Sequence, residues 1–214
     1  MQSADEDAVA TAAERLHRDS LVWVIHDHFF HRLEANLAMR DGGVTAKTLV
    51  PVADLAIYND SADPDHAAFY ARSLAQRDGW AVESLVRLER ARRLLESRPE
   101  RFVLALCPED VLRAQREERS AIFLGLEGCK AFEGRLELLR IFHRLGVRQA
   151  QLMWAHPNQL VDASGSSHRL SSFGRECVAA MNELGIVIDL AHAPMDVFAE
   201  AIQLNCTNNR MSMP

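Results

Sequence analysis

The stretch Ala121 to Leu126 (AIFLGL) is apolar from end to end, and Ile186 to Leu190 (IVIDL) is nearly so. A strand that shows no polar alternation is buried on both faces, which is the condition of a parallel sheet sheathed by helices. Gln149 to Trp154 (QAQLMW) reads as a further strand between these two. Helical patterns at 134–145 and 171–184 separate the three, the second ending at Gly185. Upstream, Leu21 to Ile25 (LVWVI) follows a short amphipathic helix over Ala8 to Arg18, and Thr45 to Val52 follows the turn residues Gly42-Gly43, with Pro51 weakening its end. A long helical pattern spans 65–98, RFVLALC at 101–107 reads as a short strand, and Pro108 opens a helix through Glu118. Strands alternating with helices in this way predict an α/β protein with a parallel sheet.

The chain has 214 residues, 48% of them hydrophobic and 25% charged, which suits a single globular unit over residues 1–214. Its net charge of -6, without a basic stripe, argues against a nucleic-acid partner. The first twenty residues lack the apolar core of a secretory signal, and no run approaches the ~18 apolar residues of a membrane span. A cytoplasmic location without a membrane anchor is the expectation. Four cysteines without a CxxC pair are read as reduced and structural.

In parallel α/β sheets and barrels, chemistry gathers at the carboxyl ends of the strands. His26 and His28 end the first apolar run, Glu127 ends AIFLGL, His156 and Asn158 follow QLMW, and His192 follows IVIDL. Residues i and i+2 of a strand point the same way, so both imidazoles of His26-Asp27-His28 can reach one ion. Taken singly, a strand-end histidine pair is a weak signal, and Glu127 before Gly128 also suits a turn carboxylate capping the next helix. Their coincidence at successive strand ends favours a metal site. Asp189, inside an apolar run, requires a hydrogen-bond partner.

Five stretches together resemble the renal or membrane dipeptidases, the peptidase M19 family within the amidohydrolase superfamily. They are RDSLVWVIHDH at 18–28, GLEGCKAFEG at 125–134, LLRIFHRLGVRQAQLMW at 138–154, NQLVDAS at 158–164 and LSSFGRECVAAMNELGIVIDLAH at 170–192. The resemblance implies a (β/α)8 TIM-type barrel and hydrolysis of the dipeptide amide bond by a metal-activated water. It implies zinc, two ions per complete site, with other divalent metals as alternatives. His26 resembles the first metal-binding histidine, Glu127 a catalytic glutamate bridging the metals, and His192 the first histidine of the other metal. His28 stands where the family carries aspartate; a register shifted by two would instead place Phe30 there. His156, with Asn158 nearby, resembles a substrate contact.

A complete barrel of this type takes about 250 residues, and only about the first five strands can be counted here. The tail AIQLNCTNNRMSMP reads as short and polar, unlike a closing helix. The expectation is therefore the N-terminal portion of a dipeptidase barrel, an incomplete one cut short at its C-terminal side. Three functional readings follow: an active metallodipeptidase, on its own or completed by a partner chain; an inactive fragment that folds incompletely; or another amidohydrolase acting on a different amide or lactone. An open sheet edge also predicts self-association into homo-oligomers.

Overall fold

Strand β4, Ser120–Glu127, is buried along its whole length, which is the physical reason its sequence shows no alternation. The computed structural model describes residues 2–28, 36–51, 54, 79–154, 158–162 and 168–211. Helix α1 (Gln2–Asp19) leads into β1 (Trp23–Asp27), and β2 (Ala46–Leu49) follows. Then come α2 (Trp80–Glu96), β3 (Phe102–Leu104), α3 (Pro108–Arg116) and β4. A 3-10 turn at Lys130–Phe132 precedes α4 (Leu136–Arg144) and β5 (Val147–Gln151), and a two-stranded hairpin pairs β6 (Val161–Asp162) with β7 (Arg169–Leu170). Helix α5 (Ser172–Leu184), β8 (Val187–Asp189) and α6 (Met195–Met211) complete the described elements.

The main sheet is parallel, in the order β1-β2-β4-β5-β8. These five strands form a curled half-barrel. Short β3 pairs with the first residues of β4, on the same edge whose upper part takes β5. Its shortness has a use: by ending early it leaves that edge free for β5.

The main core lies between the outer face of the sheet and the helices. Leu49, Ile122, Leu124, Leu126, Leu139, Phe142 and Met181 are all essentially inaccessible there. Each such side chain contributes roughly 1.5–3 kcal/mol through burial. On the inner, concave face, Trp23 stacks on Phe123 at 4.7 Å and donates its indole N–H to the Thr48 hydroxyl at 3.2 Å. A largely apolar cavity of about 480 Å³ opens beside them, lined among others by Leu112 and Val187.

Several predicted boundaries move. The strand expected at Gln149 to Trp154 occupies Val147–Gln151, two or three residues earlier, because β4 pairs Val147 opposite Leu124. The second strand stops at Leu49, before Pro51. Of the helix expected over 65–98, Trp80–Glu96 is present and the earlier part lies outside the described residues. The tail is corrected: residues 201–211, read as unlike a closing helix, form the later part of the seventeen-residue α6, while 212–214 lie outside the described residues. Val197 and Ala201, four residues apart on its inner side, are buried, and α6 packs on α5.

Candidate metal centre

His26 on β1 and His28 just past its end reach the inner face because the strand changes register. Trp23 and Val24 pair with Ala46 and Lys47, whereas Asp27 pairs with Leu49, so three steps along β1 match two along β2. Such an irregularity reverses which residues face inward. Trp23 faces the concave side before it; His26 and His28 do so after it, and Asp27 points to the helix side.

His26 Nε2 and His28 Nε2 stand 3.0 Å apart. The Glu127 carboxylate, at the carboxyl end of β4, approaches them with Oε1 3.7 Å from His26 Nε2 and Oε2 3.3 Å from His28 Nε2. Ligand atoms set about 2.1 Å from a tetrahedral zinc lie roughly 3.3 Å from one another, so the spacings suit one small cation. His26, His28 and Glu127 are the group of metal-ligating side chains that the described residues bring together.

Hydrogen bonding supports the same fit. His28 Nδ1 donates to the Val50 carbonyl at 2.9 Å, which leaves Nε2 of the neutral ring as a lone pair directed at the site. Glu127 is 4% exposed, and its Oε2 accepts no well-directed hydrogen bond from the described residues despite its short approach to His28. A buried acceptor facing an acceptor nitrogen is costly unless a proton or a cation sits between them. The titration follows: burial pulls His28 down, but the Glu127 and Val50 contacts and the Glu127 and Asp27 charges outweigh it, and its pKa is raised. His26 goes the other way, lowered by burial and by the adjacent His28.

His192 lies just past β8 with its Nε2 4.0 Å from Glu127 Oε1. Its φ of 64° is a left-handed conformation that costs a non-glycine residue about 1 kcal/mol or more and clusters at functional sites. Asp189 shapes that turn by accepting from the Ala191 N–H at 2.9 Å. Its other oxygen receives the Gln149 amide at 3.0 Å, the partner that its apolar setting required. The same amide reaches across the concave face to the Ile25 carbonyl at 3.2 Å, within the irregular part of β1.

Asn158 sits elsewhere in the network. Its Nδ2 donates to Asp54 Oδ2 and to the Leu152 carbonyl, while its Oδ1 accepts from the Leu160 N–H. Both amide hydrogens are thus committed to holding the loop. His156 and Phe30 lie outside the described residues, as does His31.

Sequence reasoning missed Asp54. Its Oδ1 accepts from the Lys130 N–H at 2.8 Å and its own N–H donates to the Glu127 carbonyl at 2.8 Å. It is this carboxylate, and not Glu127, that caps the 3-10 turn after Gly128. The available signal was an acidic residue in the apolar stretch VPVADLAI. Burial, moderated by Asn158 and the backbone N–H groups, raises Asp54 from 3.8 to about 6.

A carboxyl whose folded pKa is raised stabilises the fold while protonated and loses that contribution as pH climbs. Across 3.8 to about 6 the loss amounts to about 3 kcal/mol. Denaturant unfolding between pH 4 and pH 7 should therefore show wild-type stability falling relative to Asp54→Asn by about that amount. Parallel stability curves for the two proteins would contradict the assignment.

The family model for membrane dipeptidase, peptidase family M19, matches residues 36–207. Dipeptidase tcpJ of Claviceps purpurea is 32% identical over 127 residues, 58% of this chain and 30% of that protein. An amidohydrolase from Pseudomonas aeruginosa superposes with a TM-score of 0.69 at 23% identity, over 89% of this chain and 52% of that one. A metallo peptidase from Rhodobacter sphaeroides, solved with a phosphinate mimic of the dipeptide L-Ala-D-Ala, gives 0.64 at 20% identity, over 86% of this chain and 63% of that one. The chain thus spans half to two thirds of these solved chains and less than a third of that curated relative. No described helix is long and apolar enough to cross a membrane. With the family match running over most of its length, on a half-barrel shared with solved relatives, the chain belongs to the membrane dipeptidase family, peptidase family M19.

Proposed function

We propose that this chain carries the metal-holding side of a metal-dependent dipeptidase site, with zinc as the ion. The observation behind this reading is the buried Glu127 Oε2, which has no hydrogen-bond donor among the described residues, beside two imidazole nitrogens 3.0 Å apart. His26, His28 and Glu127 would hold one ion, and Glu127 together with His192 would hold a second. When bound, zinc supplies Lewis-acid activation of water and of a carbonyl oxygen.

The chain's own residues supply orientation. The Val50 carbonyl keeps the His28 proton on Nδ1, and Asp54 ties the Glu127 backbone and the turn after it to the exit of β2. Gln149 links the β1 bend to Asp189, whose turn presents His192. Asn158 serves as a loop anchor in this reading, since its amide hydrogens are already engaged. The dipeptide class is carried over from the names of the relatives and from the dipeptide mimic bound by the Rhodobacter peptidase.

The test is zinc content and amino-acid release from a dipeptide panel that includes a D-residue at the second position. Wild type should retain zinc and the His26→Ala/Glu127→Ala double variant should not. Hydrolysis that tracks zinc content supports the assignment; equal, low zinc in both proteins sinks it. Bound zinc with turnover only of other amides or lactones would reassign the chain to a different amidohydrolase chemistry.

A further inference from the structure

Asp27, the residue between the two histidines, faces the opposite side of β1 and meets a buried lysine. Lys47 lies on β2 between Ala46 and Thr48, which line the concave cavity, so its own side chain runs to the helix side. It is 5% exposed, and its Nζ donates to Asp27 Oδ2 at 2.5 Å and to Asn36 Oδ1 at 3.1 Å. Asn36 is itself 1% exposed. The Asp27 carbonyl accepts from the Val50 N–H at 2.8 Å, and the Val50 carbonyl in turn accepts from His28 Nδ1. The end of β1 is thereby clamped to β2 through Asp27 on one side and His28 on the other.

Stability alone does not account for a buried lysine at this position. Taking an ammonium and a carboxylate out of water costs several kcal/mol per ion, and apolar residues of similar volume are often as stable or more so. Direction is what the charge pair adds. The register change in β1 sets the facing of every residue after it, and a strand end rotated by one residue would turn both imidazoles away from Glu127.

We propose that Lys47 is a positioning residue for the metal centre: by holding Asp27 on the helix side of β1 it keeps His26 and His28 aimed at Glu127. The proposal rests on the metal reading given above, and the experiment separates the two. Cobalt(II) is the probe. Its visible absorption band reports ligand geometry, and competition with a chromophoric chelator gives the affinity. The full chain is compared with Lys47→Met and with the double variant Asp27→Leu/Lys47→Met, and the melting temperature of each metal-free protein is recorded.

Lys47→Met should lower both the melting temperature and the cobalt affinity, because it takes the ammonium away from the largely buried Asp27 carboxylate. In the double variant, which removes both charges, the melting temperature should return to near the wild-type value. Its cobalt affinity should remain about 10- to 100-fold weaker, the usual effect of losing a group that orients a ligand, with an altered visible band. If Lys47→Met does not fold, the double variant decides. A folded double variant that binds cobalt within about twofold of wild type overturns the positioning role while leaving the metal site intact. Failure of the double variant to fold also overturns it, since the pair would then serve the fold itself. A wild-type chain that binds no cobalt removes the metal reading and this proposal together.

Discussion

Replacing Glu127 by glutamine is expected to abolish divalent-metal binding without harming the metal-free fold. The carboxylate is buried at the end of β4, within 3.3 and 3.7 Å of the two imidazoles, and it contributes the negative charge of the cluster. An amide of the same shape retains one oxygen but loses that charge, so affinity for zinc or cobalt should fall by at least about 100-fold. Its new N–H group, by contrast, can donate toward the imidazole lone pairs that Oε2 now opposes. The metal-free variant should therefore melt at or slightly above the wild-type temperature, with a gain of about 1 kcal/mol. Titration calorimetry with zinc and thermal melting of the metal-free proteins read the two effects separately. Undiminished zinc affinity, or a large drop in melting temperature, would contradict the arrangement described.

The same geometry sets the direction of the pH dependence. A histidine whose folded pKa is raised stabilises the fold below its unfolded value near 6.5, and that contribution is lost as pH rises through the folded value. His28 behaves so; His26, lowered, works in the opposite sense and costs stability as pH falls below 6.5. Metal binding requires both rings neutral, so acid weakens it, first through His28. In Glu127→Gln, which removes the Glu127 contact and charge but keeps the Val50 bond and the Asp27 charge, the His28 contribution to acid-side stability should shrink.

Gly128→Ala is expected to be the most disruptive single methyl in the described site. Gly128 has φ of +85°, and a Cβ built there would lie 2.1 Å from the Asp54 carboxyl carbon. Asp54 has little freedom to give way, since it caps the 3-10 turn, receives the Asn158 amide and is buried. The left-handed backbone costs about 1–2 kcal/mol for alanine and the collision about 1–3 more. A total near 3 kcal/mol corresponds to roughly 10 °C in melting temperature for a chain of this size. Gly134→Ala provides the control: φ is +72° there, but among the described residues nothing lies within 4 Å of the added carbon, so only the backbone cost should appear. Equal melting temperatures for the two variants would remove Asp54 as the cause.

Much of the candidate site was legible because its members sit at the ends of apolar strands. AIFLGL announces a strand buried on both faces, and the residue that follows it, Glu127, is delivered to the carboxyl rim by chain direction alone. The alternation of His26 and His28 across Asp27 is likewise a local property with a period of two. The C-terminal helix was less legible: α6 carries polar residues among its apolar ones, and it is held by burying Val197 and Ala201 against the core.

What the sequence by itself determined, then, is the succession of strands and helices and which chemical groups stand at the strand ends, since both are written in periodicities that neighbouring residues set. Only the tertiary structure decided which of those groups meet. The register change in β1 that turns the two histidines inward arises from pairing with β2. Asp54 reaches Lys130 across 76 residues, and Gln149 reaches Ile25 across 124. Lys47 finds Asp27 across 20. Contacts at such separations depend on how the sheet curls and how its strands slide past one another, and no local spacing encodes that.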